Sequence, residues 1–177
     1  MAVQPESATV WLGRRVSERF RVVPASYVLL LRPAPTGATG GTGAEQVLLQ
    51  LRQGTGYMDG HWAAAAAGHV EADESVFAAA VREAAEELGV VIAPDDLEPL
   101  CAMHRTAGNH DPIDERVDFF LGCHRWSGTP QLLETDKAAD LRWCGLDALP
   151  DPVVPHELFV LERLRDGGLP PVLALGF

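Results

Sequence analysis

The 177-residue sequence predicts an α/β sandwich built on a mixed β-sheet. Three observations predict it. β-branched and apolar runs bounded by turn residues recur along the chain, as strands do. Residues 74–88 carry apolar side chains at helical spacing. Strands and two helices interleave without a repeat, and the length suits one domain with one core.

The elements follow in order. Residues 1–20 mix Gln4, Glu6, Arg14 and Arg15 with apolar residues and are expected to form an arm or an extra strand. They lack a basic start, an apolar stretch and a small-residue cleavage site, so no secretory signal is read and the expected compartment is the cytoplasm. Residues 21–32 form an apolar strand that ends in the Pro, Gly and Thr of 33–43, a surface loop by composition. Residues 46–52 return as the second strand of a hairpin. A glycine-rich loop at 54–61 leads to Trp62 and five alanines, Ala63 to Ala67, whose propensity leaves helix or strand open.

The helix over 74–88 is expected to bury Phe77, Val81, Ala84 and Leu88, with Asp73 as N-cap and Gly89 closing it in the left-handed conformation. Strands are expected at 97–104, 116–126 and 141–146, and a last helix at 155–165, where Leu158, Leu161 and Leu164 recur. The main domain is therefore placed at 21–168, with 169–177 as a tail.

Bulk properties narrow the function. A net charge of −11 disfavours duplex DNA or long RNA as the main partner. No apolar run is long enough to span a membrane. Cys101, Cys123 and Cys144 include no CxxC pair, so they are read as small core residues rather than a zinc site or a disulfide framework.

The chemistry lies in residues 68–90, GHVEADESVFAAAVREAAEELGV. At 100° per residue Glu83, Glu86 and Glu87 share about one third of the helix circumference. Like charges so spaced repel one another, and Arg82 alone does not balance three of them. Mg²⁺, a hard cation that prefers carboxylate, carbonyl and water oxygens, would. A crowded carboxylate also has a raised pKa in the absence of metal, which suits a general base.

Gly68, Glu74, Arg82, Glu83, Glu86, Glu87, Gly89 and the aliphatic Val90 match every fixed position of the Nudix box, so the chain resembles the Nudix hydrolases, the MutT-like family. At ordinary residue frequencies a chance match somewhere in a chain of this length is on the order of one in a hundred thousand. The resemblance implies a Nudix-type α/β/α sandwich and an Mg²⁺-dependent hydrolase, with Mn²⁺ as a substitute, that cuts the diphosphate linkage of a nucleoside diphosphate derivative. Ordinary or oxidised nucleoside triphosphates are among the substrates it implies.

It also implies roles. Glu83, Glu86, Glu87 and the carbonyl of Ala67 would bind metal, and Glu83 would double as base. Arg82 would hold Glu83 by a salt bridge, Glu74 would support the loop-to-helix junction, and Gly68 would permit a tight turn. Family members often add a distant acid, for which Glu134 and Glu115 are the candidates. Arg52 and Asp118 are candidate substrate contacts, and Trp62, Trp126 and Trp143 are candidate base-stacking residues.

Two departures stand out: Ala66-Ala67 replaces the usual Pro-Gly, and Val154-Pro155-His156-Glu157 lacks the tryptophan of the purine-gripping Trp-Pro-Asp-Asp. The alternative to hydrolysis is a catalytically silent module that senses a nucleotide or ADP-ribose, which would be expected to have lost box acids. An isoprenyl diphosphate isomerase and an RNA decapping enzyme fit less well, lacking a cysteine context and a basic surface. The expected partner is a small nucleotide-like diphosphate, with the oligomeric state, homodimer included, left open.

Overall fold

The computed structural model describes residues 19–35 and 45–177. All but the last two residues of the arm or strand expected over 1–20, and most of the loop over 33–43, lie outside that range. The described elements are β1 (Val23–Pro33), β2 (Glu45–Arg52), β3 (Trp62–Ala64), β4 (Ala66–His69), α1 (Val76–Leu88), a 3₁₀ turn (Pro94–Asp96), β5 (Leu97–Arg105), β6 (Arg116–Cys123), β7 (Ala138–Gly145), α2 (Pro155–Arg165) and β8 (Val172–Leu175).

β1 organises the sheet. On one side it runs parallel to β6, which continues to antiparallel β5 and parallel β8. On its other side it has two partners. Its first half pairs with β4 (Tyr27 opposite Ala67) and its last residues pair with β2 (Leu31 opposite Val47). β2 then pairs with β3 and β7. β1 and β2 therefore diverge from a joined end, and β3 and β4 fill the opening.

β1 is buried on both faces, which explains its unbroken apolar run. Tyr27, Leu29 and Leu31 point to a core closed by Val160 and Leu161 of α2. Val28 and Leu30 point to a core closed by Ala80, Ala84 and Leu88 of α1. Two helical layers over a mixed sheet make an α/β/α sandwich. The three cysteines are buried and reduced, and no described helix is long and apolar enough to cross a membrane.

Three expectations are corrected, and the choice left open for the alanine run is decided. α1 is capped by Ser75, whose side chain accepts from the Ala78 N–H, while Asp73 sits before it at φ 65°. The buried stripe is Ala79, Ala80, Ala84 and Leu88, and Phe77 is 37% exposed. Small residues win the contact because alanine lets α1 lie close on the sheet, and a phenylalanine would hold it off. The alanine run is two short strands. The tail over 169–177 contains β8, which pairs with β5 through four residues. Gly89 closes α1 at φ 67°, its N–H donating to the carbonyl oxygens of Ala84 and Ala85.

Candidate active site

The box residues meet where α1 crosses β4. Arg82 is the hub. Its Nε and Nη2 donate to Glu74 at 2.9 and 3.0 Å, its Nη1 to Glu83 at 2.7 Å and Glu86 at 3.1 Å, and its Nη2 also to the His69 carbonyl at 3.1 Å. One guanidinium thus ties the loop before α1, the helix and the end of β4 together. The Arg82 contacts hold the Glu74 carboxyl below its ordinary range.

Glu83 and Glu87 turn toward the sheet while Glu86 stays largely in solvent. Burial raises the Glu83 carboxyl, opposed by Arg82 and assisted by Glu86 and Glu134. Burial pushes Glu87 up to about 8, against the N–H of Ala67, which donates to it at 2.9 Å; Glu83 and Glu134 repel it further. Helix α1 therefore presents carboxylates short of positive charge. Among the described residues no group of three acidic, histidine or cysteine side chains is gathered so as to hold a metal ion by itself.

Gly68 does not make the expected tight turn. It lies within β4 opposite Ser26, and a Cβ built on it would sit 1.8 Å from Glu83 Oε1. The glycine is needed because the carboxylate occupies the space of a side chain.

Glu134 follows Leu133, whose N–H donates to the Glu87 carbonyl. Its charge is felt by both Glu83 and Glu87, and Lys137 bonds it at 2.8 Å. Glu115 is 7% exposed and accepts from the Thr106 hydroxyl at 3.0 Å, a bond within the β5–β6 connection.

Beside the box, a pocket of about 420 Å³ opens in the wedge between β1 and β2. Ala67 and Gly68 form its wall on the box side, and Arg52, Tyr57, Arg105, Arg116, His156 and Glu157 line the rest. Arg52 is held by the Tyr57 carbonyl at 2.9 Å and the Thr55 hydroxyl at 3.0 Å. That loop is itself fixed by Asp59, which accepts from the Thr55 and Gly56 N–H groups.

Asp118, expected to contact substrate, is 0% exposed and lies beneath the pocket, where Arg105 and Arg116 both bind it. An acid inside the strand here anchors two arginines. The three tryptophans are absent from the pocket lining: Trp62 is buried with Arg142 over its ring, and Trp126 stacks on Trp143 beneath Arg32.

The sequence reading missed Arg105, Arg116, Tyr57, Tyr27, His156 and Glu157. The spacing Arg116-x-Asp118 puts a charge pair on one strand face, and that was the available signal. His156 Nε2 lies 3.2 Å from the Tyr27 hydroxyl, and burial holds its pKa down to about 3. Glu157 accepts from the Ala64 N–H and is pushed by burial up to about 7.

The NUDIX domain family matches residues 36–164, well over half of the chain. The chain belongs to the Nudix family. The MutT NUDIX hydrolase from Burkholderia pseudomallei is similar to this Nudix protein in structure, with a TM-score of 0.65 and 26% identity over 82% of this chain and 99% of that one. The NUDIX domain of Shewanella oneidensis NrtR, complexed with ADP ribose, superposes with a TM-score of 0.61 at 17% identity, covering 88% and 97%. A UDP-X diphosphatase does so at 0.59 and 19% identity, covering 94% and 72%; these two likenesses speak to the fold. No curated protein matches the sequence. Family and fold make this a Nudix pyrophosphohydrolase acting on phosphoric anhydrides, an enzyme class that generally uses a divalent metal.

Proposed function

We propose that this Nudix enzyme uses Mg²⁺, with Mn²⁺ as a substitute, to hydrolyse the diphosphate linkage of a nucleoside diphosphate derivative, ordinary or oxidised nucleoside triphosphates included. One observation carries the proposal. Glu83 and Glu87 are withdrawn from water, Arg82 bonds Glu83 but not Glu87, which is opposed only by the more distant charge of Lys137 among the described residues, and the wall they support, Ala67 and Gly68, faces a pocket lined by arginines. The donor set fits the ion, because Mg²⁺ takes one or two carboxylates and completes its shell with water and substrate phosphate. Glu83, Glu86, Glu87 and the Ala67 carbonyl would hold it, and bound there it would neutralise phosphate charge and lower the pKa of water.

The chain's own groups do the rest. Glu83, kept in one rotamer by Arg82 and the absent side chain of Gly68, accepts the proton of the attacking water, with Glu134 as the alternative acceptor. Glu74 keeps Arg82 aimed. Arg52 steadies a phosphate at the pocket mouth.

The test is Mg²⁺-dependent release of phosphate or nucleoside monophosphate. The panel is ordinary and oxidised nucleoside triphosphates, ADP-ribose, nucleotide sugars, dinucleoside polyphosphates and NADH, with Glu87→Gln as blank. Release that vanishes in the variant supports hydrolysis. Tight binding of ADP-ribose without cleavage would replace it with sensing.

A further inference from the structure

The far side of the pocket carries a second concentration of charge, of opposite sign to the box. Arg105 and Arg116 stand opposite each other on β5 and β6, and both Nε groups are bound to Asp118 beneath. The side chains are 13% and 11% exposed, so the pair is held in place rather than waving in solvent. Its binding capacity is mostly unspent. A guanidinium has five N–H donors. Arg105 gives one to Asp118, and its Nη groups meet no protein acceptor among the described residues while the residue lines the pocket. Arg116 gives one to Asp118 and one to His69 Nε2 at 2.8 Å.

The acids around the pair are already engaged. Both Asp118 oxygens are occupied by the pair, Asp114 at the rim accepts from Asn109 at 2.6 Å, and Glu157 accepts from Ala64. Burial and the neighbouring arginines lower the pKa of His69 and hold that of His156 down to about 3. Arg52 adds a third guanidinium to the lining.

The strand register offsets this cluster from Ala67 at the box. Asp118 stands in the row of Ala25, two residues along β1 from the row of Tyr27 and Ala67. That is about 7 Å at strand rise, roughly the length of a diphosphate. We propose that Arg105 and Arg116, fixed by Asp118 and joined by Arg52, form a subsite for a second acidic group on the substrate. The preferred substrate is then a diphosphate that bears a further phosphate or carboxylate beyond the linkage that is cut. The proposal rests on the hydrolase reading and names its substrate class.

Matched pairs differing by one acidic group test it. ADP-ribose against its 2′-phosphate reads a phosphate, and UDP-glucose against UDP-glucuronate reads a carboxylate. For each pair the ratio of kcat/KM, acid-bearing over neutral, is measured with Mg²⁺ in the wild type, Arg116→Gln and Arg105→Gln. The expected ratio is about tenfold or more in at least one wild-type pair, the worth of a charge-assisted hydrogen bond. It should fall toward one in both variants, whatever becomes of the absolute rates. The pair showing the ratio names the acidic group.

A wild-type ratio of one in both pairs, with cleavage proceeding, overturns the subsite and leaves hydrolysis standing. If no pair is cleaved, the same ratios are read as Kd by calorimetry, and equal or absent binding overturns the subsite too. Should either glutamine variant fail to fold by thermal melt, Arg52→Gln and Arg116→Lys carry the comparison, and an unchanged ratio in both overturns it.

Discussion

The two charged poles of the pocket differ in how each is compensated. On α1, Glu83 and Glu87 are drawn out of water and left to repel each other and Glu134, with Arg82 mainly engaged by Glu74. On β5 and β6, each arginine has its own share of a buried carboxylate. The acidic pole is therefore unfinished without a ligand, whereas the basic pole is already part of the fold. Removing a charge from the first should cost activity and spare stability. Removing a charge from the second should cost stability directly.

The largest effect is expected at the acidic pole. Glu83→Gln should lower turnover by about 10²–10⁴-fold, the worth of a positioned proton acceptor. Glu87→Gln should abolish turnover, with a melting temperature equal to or above that of the wild type because a raised, buried carboxyl is gone. Near-normal activity in Glu87→Gln, or a large drop in melting temperature, would erase the contrast.

Asp118→Asn is the counterpart at the basic pole. It leaves two largely buried guanidiniums facing a neutral amide and should cost about 3–5 kcal/mol in urea unfolding. A loss within 1 kcal/mol would mean that the arginines find water instead.

Between the poles, Glu157 and His156 give a pH signature. The Glu157 carboxyl, raised to about 7, keeps its proton in the folded state while the unfolded chain ionises near 4.5, so its contribution is lost as pH rises between those values. His156, lowered to about 3, acts oppositely: the unfolded chain takes up a proton as pH falls through about 6.5, and stability is lost downward from there. The two slopes oppose each other where the windows overlap. Glu157→Gln should remove one of them, so its stability relative to wild type should rise by roughly 3 kcal/mol from pH 4.5 to pH 8. A difference that stays flat with pH would show that Glu157 ionises normally.

Gly68→Ala should displace the Glu83 carboxylate and lower activity about 100-fold, as misplacement by an ångström can. Its circular dichroism should stay that of the wild type. The smallest effect belongs to Phe77→Ser, within about 0.5 kcal/mol, since the ring is partly in solvent.

These residues also show what the sequence made legible. The box was readable because its chemistry demands fixed identities at fixed spacing along one strand end, loop and helix, and apolar runs on either side placed most elements. Phe77 was misjudged because hydrophobicity ranks residues by what they gain from burial. The packing of α1 was decided by how closely a helix can approach a sheet, which favoured Ala79 and Ala80. The β8 pairing was missed because four residues are too few for a periodic signal. The basic pole was hidden for another reason. Arg105 and Arg116 lie on different strands, and only the register between β5 and β6 sets them side by side.

The contact between Gly68 and Glu83 also constrains how this chain could be altered over generations. Position 68 is closed to every side chain while position 83 holds a glutamate in its present rotamer. A shorter acid at 83 would relieve the crowding but draw the carboxylate back from the pocket wall. Neither site can drift alone without passing through an impaired protein, so the two positions are heritable as a pair, although fourteen residues of strand end, loop and helix separate them.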